Sequence, residues 1–230
     1  MGKTVLKSIQ CFIDKGLYRK EKREMERKEI SKAVLRRLPG YLAFLKGLDV
    51  QYISATSIAN ALNMGEVQVR KDLAAVSDGG RPKIGYERVG LMEDISRFLG
   101  YDNTTDAILI GAGKLGQALL GYSGFDAYGL NILAAFDIEP AACEVDGKTI
   151  LPISAMESFC KTHNVLMGII TVPTHAAQEA CDLLIDSGIK AVWNFAPVHL
   201  EVPSNILVQN ENMATSLAVL SMHLQAQIKK

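Results

Sequence analysis

The sequence predicts an α/β chain in which a small helical module precedes a doubly wound, mainly parallel sheet and a C-terminal helix. Three observations predict it. Residues 108–116, Ile-Leu-Ile-Gly-Ala-Gly-Lys-Leu-Gly, carry an apolar run into a three-glycine turn, and apolar runs then alternate with helical patterns to the end of the chain. The roughly 100 residues in front hold short amphipathic helical patterns instead. At 230 residues and 48% hydrophobic composition the chain is long enough for two small cores.

Charge divides the chain at the same place. The formal net charge is zero, but residues 1–90 hold 18 Lys and Arg against 10 Asp and Glu, whereas residues 91–230 hold 7 against 15. A polyanionic partner is therefore expected on the front half and repelled by the back half. Residues 1–29 read as an extension: Val5, Ile9, Phe12 and Ile13 are interrupted by Lys7, Asp14 and Lys15, too short and too charged a run to span a membrane. Cys11, Cys143, Cys160 and Cys181 have no metal-ligand spacing, which predicts free thiols, no metal and a cytoplasmic location.

The front module begins after Ser31, a candidate helix cap, with Ala33, Val34, Leu38, Leu42 and Leu45 at helical spacing and Pro39-Gly40 marking a kink or break. A second helix is expected over about 55–62, capped by Ser54, and Asn63-Met64-Gly65 supplies the turn to a third helix over about 66–76. Val69, Leu73 and Val76 share one face of that third helix. Gln68, Arg70 and Lys71 are left for base edges and phosphates, with Gln68 suited to adenine. Residues 77–86, Ser-Asp-Gly-Gly-Arg-Pro-Lys-Ile-Gly-Tyr, combine turn residues with a short extended run and read as a wing whose Arg81 and Lys83 reach phosphates or the minor groove. The module over residues 30–100 is thus a winged-helix (helix-turn-helix) DNA-binding domain, closed by a helix over about 91–99.

Residues 101–210 are expected to form a Rossmann-like domain. Strands are predicted at about 107–110, 132–136, 166–171, 191–195 and 206–208, and helices at about 114–122, 154–163, 175–186 and 212–227. Gly111 permits the tight bend, Gly113 lets the backbone approach a pyrophosphate, and Gly116 lets the helix pack on the strand. Ala112, Lys114 and Leu115 complete the phosphate-binding turn. Asp137 closes the second apolar run 21 residues beyond Gly116, where a carboxylate accepts hydrogen bonds from ribose hydroxyls and repels a 2′-phosphate, so NAD(H) is favoured over NADP(H). Thr171-Val172-Pro173 and Asn194-Phe195-Ala196-Pro197 lie at later strand ends, facing the nicotinamide side; Thr171, Val172, Pro173, Asn194 and Pro197 are the candidate contacts. No catalytic group stands out: Tyr18 and Lys22 lie far upstream, and His175 and His199 have no evident partner acid. Binding without turnover is expected. Two alternatives fit the same motifs, an NAD-dependent dehydrogenase with a helical interaction domain and a CoA- or nucleotide-binding scaffold.

Across about residues 30–225 the sequence resembles the Rex family of redox-sensing repressors. The resemblance rests on Ser31-Lys32-Ala33 with Arg37-Leu38-Pro39, Val69-Arg70-Lys71-Asp72-Leu73, Gly85-Tyr86, the glycine turn, Ala135-Phe136-Asp137, and the two proline loops. It implies a homodimer that exchanges C-terminal helices (residues 211–230), binds inverted-repeat operator DNA, and releases it when NADH binds. The sequence departs from the family pattern at Ala74-Ala75-Val76-Ser77 and Arg81-Pro82-Lys83, which bears on operator choice. It departs again at Asn212-Met213, where relatives place an acid and an aromatic. If relatives couple cofactor to closure through an Arg-Tyr-Asp network, Arg36 or Arg37 and Tyr122 are expected to lack their charged partner here, with Asn212 in its place.

Overall fold

The computed structural model describes residues 31–140 and 143–228. Residues 1–29, with Cys11, Tyr18 and Lys22, lie outside them. The chain divides into two compact units after Gly100.

In the first unit, α1 (Lys32–Lys46), α2 (Ala55–Ala61), α3 (Glu66–Val76) and α4 (Arg88–Leu99) accompany a two-stranded antiparallel sheet of β1 (Tyr52–Ile53) and β2 (Tyr86–Glu87). Of the kink or break expected at Pro39-Gly40, the break does not occur, and α1 runs through Pro39. Leu38, Tyr41, Leu42 and Leu45 are all buried on one face of α1, and that burial outweighs the roughly 3 kcal/mol that an internal proline costs. Ser54 caps α2 as its sequence position suggests, its Oγ accepting from the Ser57 amide at 3.0 Å. Asn63 takes the left-handed conformation at φ +51° in the turn to α3. Val69 and Leu73 are fully buried, whereas Val76 is half-buried.

The second unit is a seven-stranded sheet. Its strands are β3 (Thr105–Ile110), β4 (Leu130–Asp137), β5 (Glu144–Val145), β6 (Lys148–Pro152), β7 (Met167–Ile170), β8 (Ala191–Asn194) and β9 (Leu207–Asn210), in the order β5-β6-β4-β3-β7-β8-β9. All neighbours pair in parallel except β5 and β6. The first strand therefore sits in the middle and the chain winds outward in both directions, the doubly wound order whose ligand crevice opens beside the first strand. Period-two alternation along β3 builds both layers. Ile108 and Ile110 pack with Met156 and Cys160 of α6 (Met156–His163) and with Ala177, Ala180, Cys181 and Leu184 of α7 (Ala177–Asp186). Ala107 and Leu109 pack with Leu120 of α5 (Lys114–Leu120) on the opposite face. β5 and β6 are not among the strands expected from the sequence. Their hairpin turn is Asp146-Gly147, with φ +49° and +79°, a two-residue turn whose sequence signal was present.

The last helix, α8 (Met213–Ile228), buries none of its residues. Met213, Leu217, Leu220, Met222, Leu224 and Ile228 are each more than half exposed. Among the described residues no helix is long and apolar enough to cross a membrane.

Candidate functional site

The crevice is built where β3, β4, β7 and β8 end in register. Ile110 pairs with Phe136 and with Ile170, and Ile170 with Asn194, so the turns that follow these strands sit side by side. Gly111 leaves β3 at φ +99°, where a Cβ would stand 2.8 Å from Val172 Cγ1. The hydroxyl of Thr171 lies 2.7 Å from the Gly111 carbonyl and 3.0 Å from that of Ile110, so Thr171 fastens the turn to the neighbouring loop. Gly116 is packed harder still: its Cβ would be 1.9 Å from the Gly111 carbonyl oxygen.

Gly113 differs from both. Its φ of −69° suits any residue, and nothing lies within 4 Å of where its Cβ would be. Packing does not demand glycine there: its preference as a helix cap is mild, and the space over its Cα is open. The amides of Lys114, Leu115 and Gly116 open α5 and have no intrahelical acceptor, and Lys114 and Leu115 are exposed. Ala112 is buried, its carbonyl accepting from Gln117 Nε2 at 2.8 Å. Asp137 holds the turn from the next strand, Oδ2 accepting from the Ala112 amide at 2.6 Å and Oδ1 from the Glu139 amide at 3.1 Å.

One expected contact is reassigned. Asn194 is fully buried, its Nδ2 donating among Ala196 O, Val198 O and Asn210 Oδ1 while its Oδ1 accepts from the Ala196 amide. With every polar atom committed, it shapes the loop that presents exposed Pro197 rather than offering itself to a ligand. Val172 is half-buried and Pro173 exposed on the adjoining loop. His175 and His199 are exposed, and among the described residues no group of three His, Cys, Asp or Glu could hold a metal ion.

In the first unit Gln68, Arg70 and Lys71 are exposed on α3, with Arg70 ion-paired to Glu66 on the same helix. The wing is a tight loop closed by paired bonds between Arg81 and Gly85, N to O at 2.8 and 2.9 Å, with Lys83 at φ +68° on its tip. Gly85 is required, because a Cβ would stand 2.3 Å from the Ile53 carbonyl oxygen. Ser77 anchors the wing, donating to Asp94 of α4 at 2.6 Å and accepting from the Gly79 amide.

The most consequential contact was not legible in sequence. Asp72 points inward from α3, and Arg37 of α1 grips it with Nε at 2.7 Å and Nη2 at 2.9 Å, while the Tyr41 hydroxyl donates at 2.8 Å. Arg37 thus has a charged partner within its own unit, in Asp72 of α3, a contact separate from the one expected to be missing at Asn212. The carboxylate raises the pKa of the Arg37 guanidinium, and burial together with that same carboxylate pushes the Tyr41 hydroxyl up to about 12. Arg36 and Tyr122 are exposed, Tyr122 packing edge-on against Phe125. Asn212 caps α8, its Oδ1 accepting from the Thr215 amide at 3.2 Å, so the helix starts one residue later than expected.

Comparison with known proteins agrees with both units. Residues 102–198 match the family described as "CoA binding domain", and residues 29–74 the family described as "Putative DNA-binding protein N-terminus". The redox-sensing transcriptional repressor Rex of Bacteroides thetaiotaomicron is 40% identical over 84% of this chain and 90% of its own length. The chain belongs to the Rex family. Rex of Clostridioides difficile is 38% identical over 84% of this chain and 95% of its own. Among solved structures, the Rex-family repressor RSP in complex with β-NAD+ and operator DNA superposes with a TM-score of 0.80 at 33% identity, covering 86% of this chain and 94% of RSP. RSP with β-NADH gives 0.79 at the same identity, over 86% of this chain and 96% of RSP.

Proposed function

We propose that the chain is a redox-sensing transcriptional repressor: it binds operator DNA through α3 and the wing, holds NAD(H) at the glycine turn, and leaves the operator when NADH binds. The observation that carries this reading is the joining, in one Rex-family chain, of a helix-turn-helix with exposed Gln68, Arg70 and Lys71 to a glycine turn clasped by Asp137. The complexes of RSP with β-NAD+ and operator DNA, and with β-NADH, support it. Gly111, Gly113 and the amides from Lys114 to Gly116 take the pyrophosphate, Asp137 the adenosine ribose, and Val172, Pro173 and Pro197 the nicotinamide side. Arg81 and Lys83 add backbone contacts from the wing. The protein acts by binding and not by turnover.

Reduced and oxidised nicotinamide differ by one positive charge and by ring planarity, so a pocket can prefer one form. A tenfold preference supplies about 1.4 kcal/mol per site toward one geometry of a dimer, and two sites double it. The exposed apolar face of α8 calls for a partner, and a second copy exchanging the same helix supplies one. Arg36, Tyr122 and the Asn212 cap are the coupling positions. Arg37 contributes through the orientation of α3.

An operator-binding titration with each cofactor form tests the reading. NADH is expected to weaken operator binding much more than NAD+ does; equal effects remove the redox response. The family match described as CoA binding motivates a competition arm. CoA carries a ribose phosphate that the Asp137 carboxylate repels, so NADH is expected to remain bound in the presence of excess CoA.

A further inference from the structure

We infer that Trp193 and Glu211 are a positioning pair, whose hydrogen bond joins the loop on the nicotinamide side of the crevice to the root of α8 and so carries the cofactor state into the helix. The inference rests on the redox reading above and assigns one joint within it.

β8 ends at Asn194, and Phe195-Ala196-Pro197 run on from it into the crevice. β9 lies beside β8 in parallel, ends at Asn210, and leads through Glu211 and the Asn212 cap into α8. Three hydrogen bonds lock these two exits together. The Glu211 amide donates to the Asn194 carbonyl at 2.8 Å, Asn194 Nδ2 to Asn210 Oδ1 at 2.8 Å, and the Trp193 indole Nε1 to Glu211 Oε1 at 2.9 Å. Trp193, Asn194, Asn210, Glu211 and Asn212 are thus each held by a bond, and the corner has no slack residue to absorb a displacement of the loop.

The indole is seated against the same loop. Trp193 lies on the α5 face of the sheet, its ring 4.8 Å from that of Phe195 and 5.8 Å from that of Phe125, which in turn meets Tyr122 edge-on at 4.9 Å. Rings in contact at these distances do not slide independently. A nicotinamide that shifts Pro197 shifts Phe195 two residues earlier, and the indole tilts with it. Its N–H has one fixed direction, and hydrogen bonds weaken steeply with angle, so a small tilt releases a carboxylate whose own amide stays on β8. Freed of that bond, Glu211 no longer sets the angle at which α8 leaves the sheet.

The test measures operator affinity with and without saturating NADH for the full chain, Trp193→Phe, Glu211→Leu, Glu211→Gln and the double variant Trp193→Phe with Glu211→Leu. The ratio of the two affinities is expected to fall about 3- to 10-fold in Trp193→Phe and in Glu211→Leu. Glu211→Gln keeps an oxygen for the indole and should hold the ratio within about twofold of the wild type. The double variant should lose no more than either single one, because the same bond is removed once. Each variant should still reach saturation with NADH in a nicotinamide fluorescence titration. An undiminished ratio in both Trp193→Phe and Glu211→Leu overturns the inference, as do losses that multiply in the double variant or a variant that no longer binds NADH. Should Trp193→Phe fail to fold, equal ratios in Glu211→Leu and Glu211→Gln overturn it. A wild type whose operator binding ignores NADH removes the redox reading itself, a result distinct from coupling that survives in every variant.

Discussion

Replacing Gly113 with alanine separates folding from cofactor binding at a single atom. Because φ is −69° and no atom lies within 4 Å of the added Cβ, the folded state meets neither strain nor clash. Alanine lowers the entropy of the unfolded chain, a gain of about 0.4–1 kcal/mol. It is also a poorer helix cap than glycine, a loss of a few tenths to about 1 kcal/mol. The apo protein should therefore keep its unfolding free energy to within about 0.5 kcal/mol. The methyl group nevertheless projects into the space through which a pyrophosphate reaches the loop amides. Loss of one charge-assisted hydrogen bond costs about 1.5–3 kcal/mol, a weakening of roughly 10- to 150-fold in NADH affinity. Urea unfolding measures the first quantity and a nicotinamide fluorescence titration the second. Gly116→Ala is the contrast: with a backbone oxygen 1.9 Å from its Cβ, it should destabilise the fold itself. NADH binding by Gly113→Ala within twofold of the wild type would refute the assignment of Gly113 to the pyrophosphate.

Burial and the hydrogen bond to Asp72 keep Tyr41 protonated in the folded state to about pH 12, against 10.0 for an ordinary tyrosine. Because the folded pKa is the higher one, this contribution is whole below pH 10 and is lost as pH climbs toward 12, in total about 2–3 kcal/mol. Tyr41→Phe should cost about 1 kcal/mol near neutrality by leaving Asp72 one donor short, yet show a shallower alkaline decline; parallel declines in the two proteins count against it. Burial raises the thiol of Cys160, and burial with neighbouring Asp182 pushes that of Cys181 up to about 11, while Cys143 is exposed. Alkylation of native protein near neutral pH should mark Cys143 and reach Cys160 and Cys181 only after unfolding, as peptide mapping would show; labelling of Cys181 in the folded chain contradicts its placement. Leu217 and Leu220, one turn apart on the exposed face of α8, carry the proposed dimer, so changing both to glutamate should yield monomers by light scattering. A variant that stays dimeric removes α8 from the interface.

Local chemistry alone determined most of the architecture. The glycine turn, the alternation of apolar runs with helical patterns, Ser54 as a cap and Asn63-Met64-Gly65 as a turn each depend on residues a few positions apart, so period and turn chemistry expose them without knowledge of the fold. Where two local rules competed, the sequence left the outcome open: Pro39 allows a kink or a break, and four buried side chains on α1 carry the helix through it. The Asp146-Gly147 hairpin was legible but too short to stand out beside the long central strands. Only the tertiary structure decided the roles of the polar groups. Asp72 lies 35 residues from Arg37, and Asn194 lies 16 from Asn210; the spacing says nothing about which carboxylate is buried beneath a guanidinium or which amide is spent on its own loop. A hydrogen bond is short and directional, so what a polar side chain has left to offer DNA or a cofactor is fixed by the neighbours that the fold brings within 3 Å.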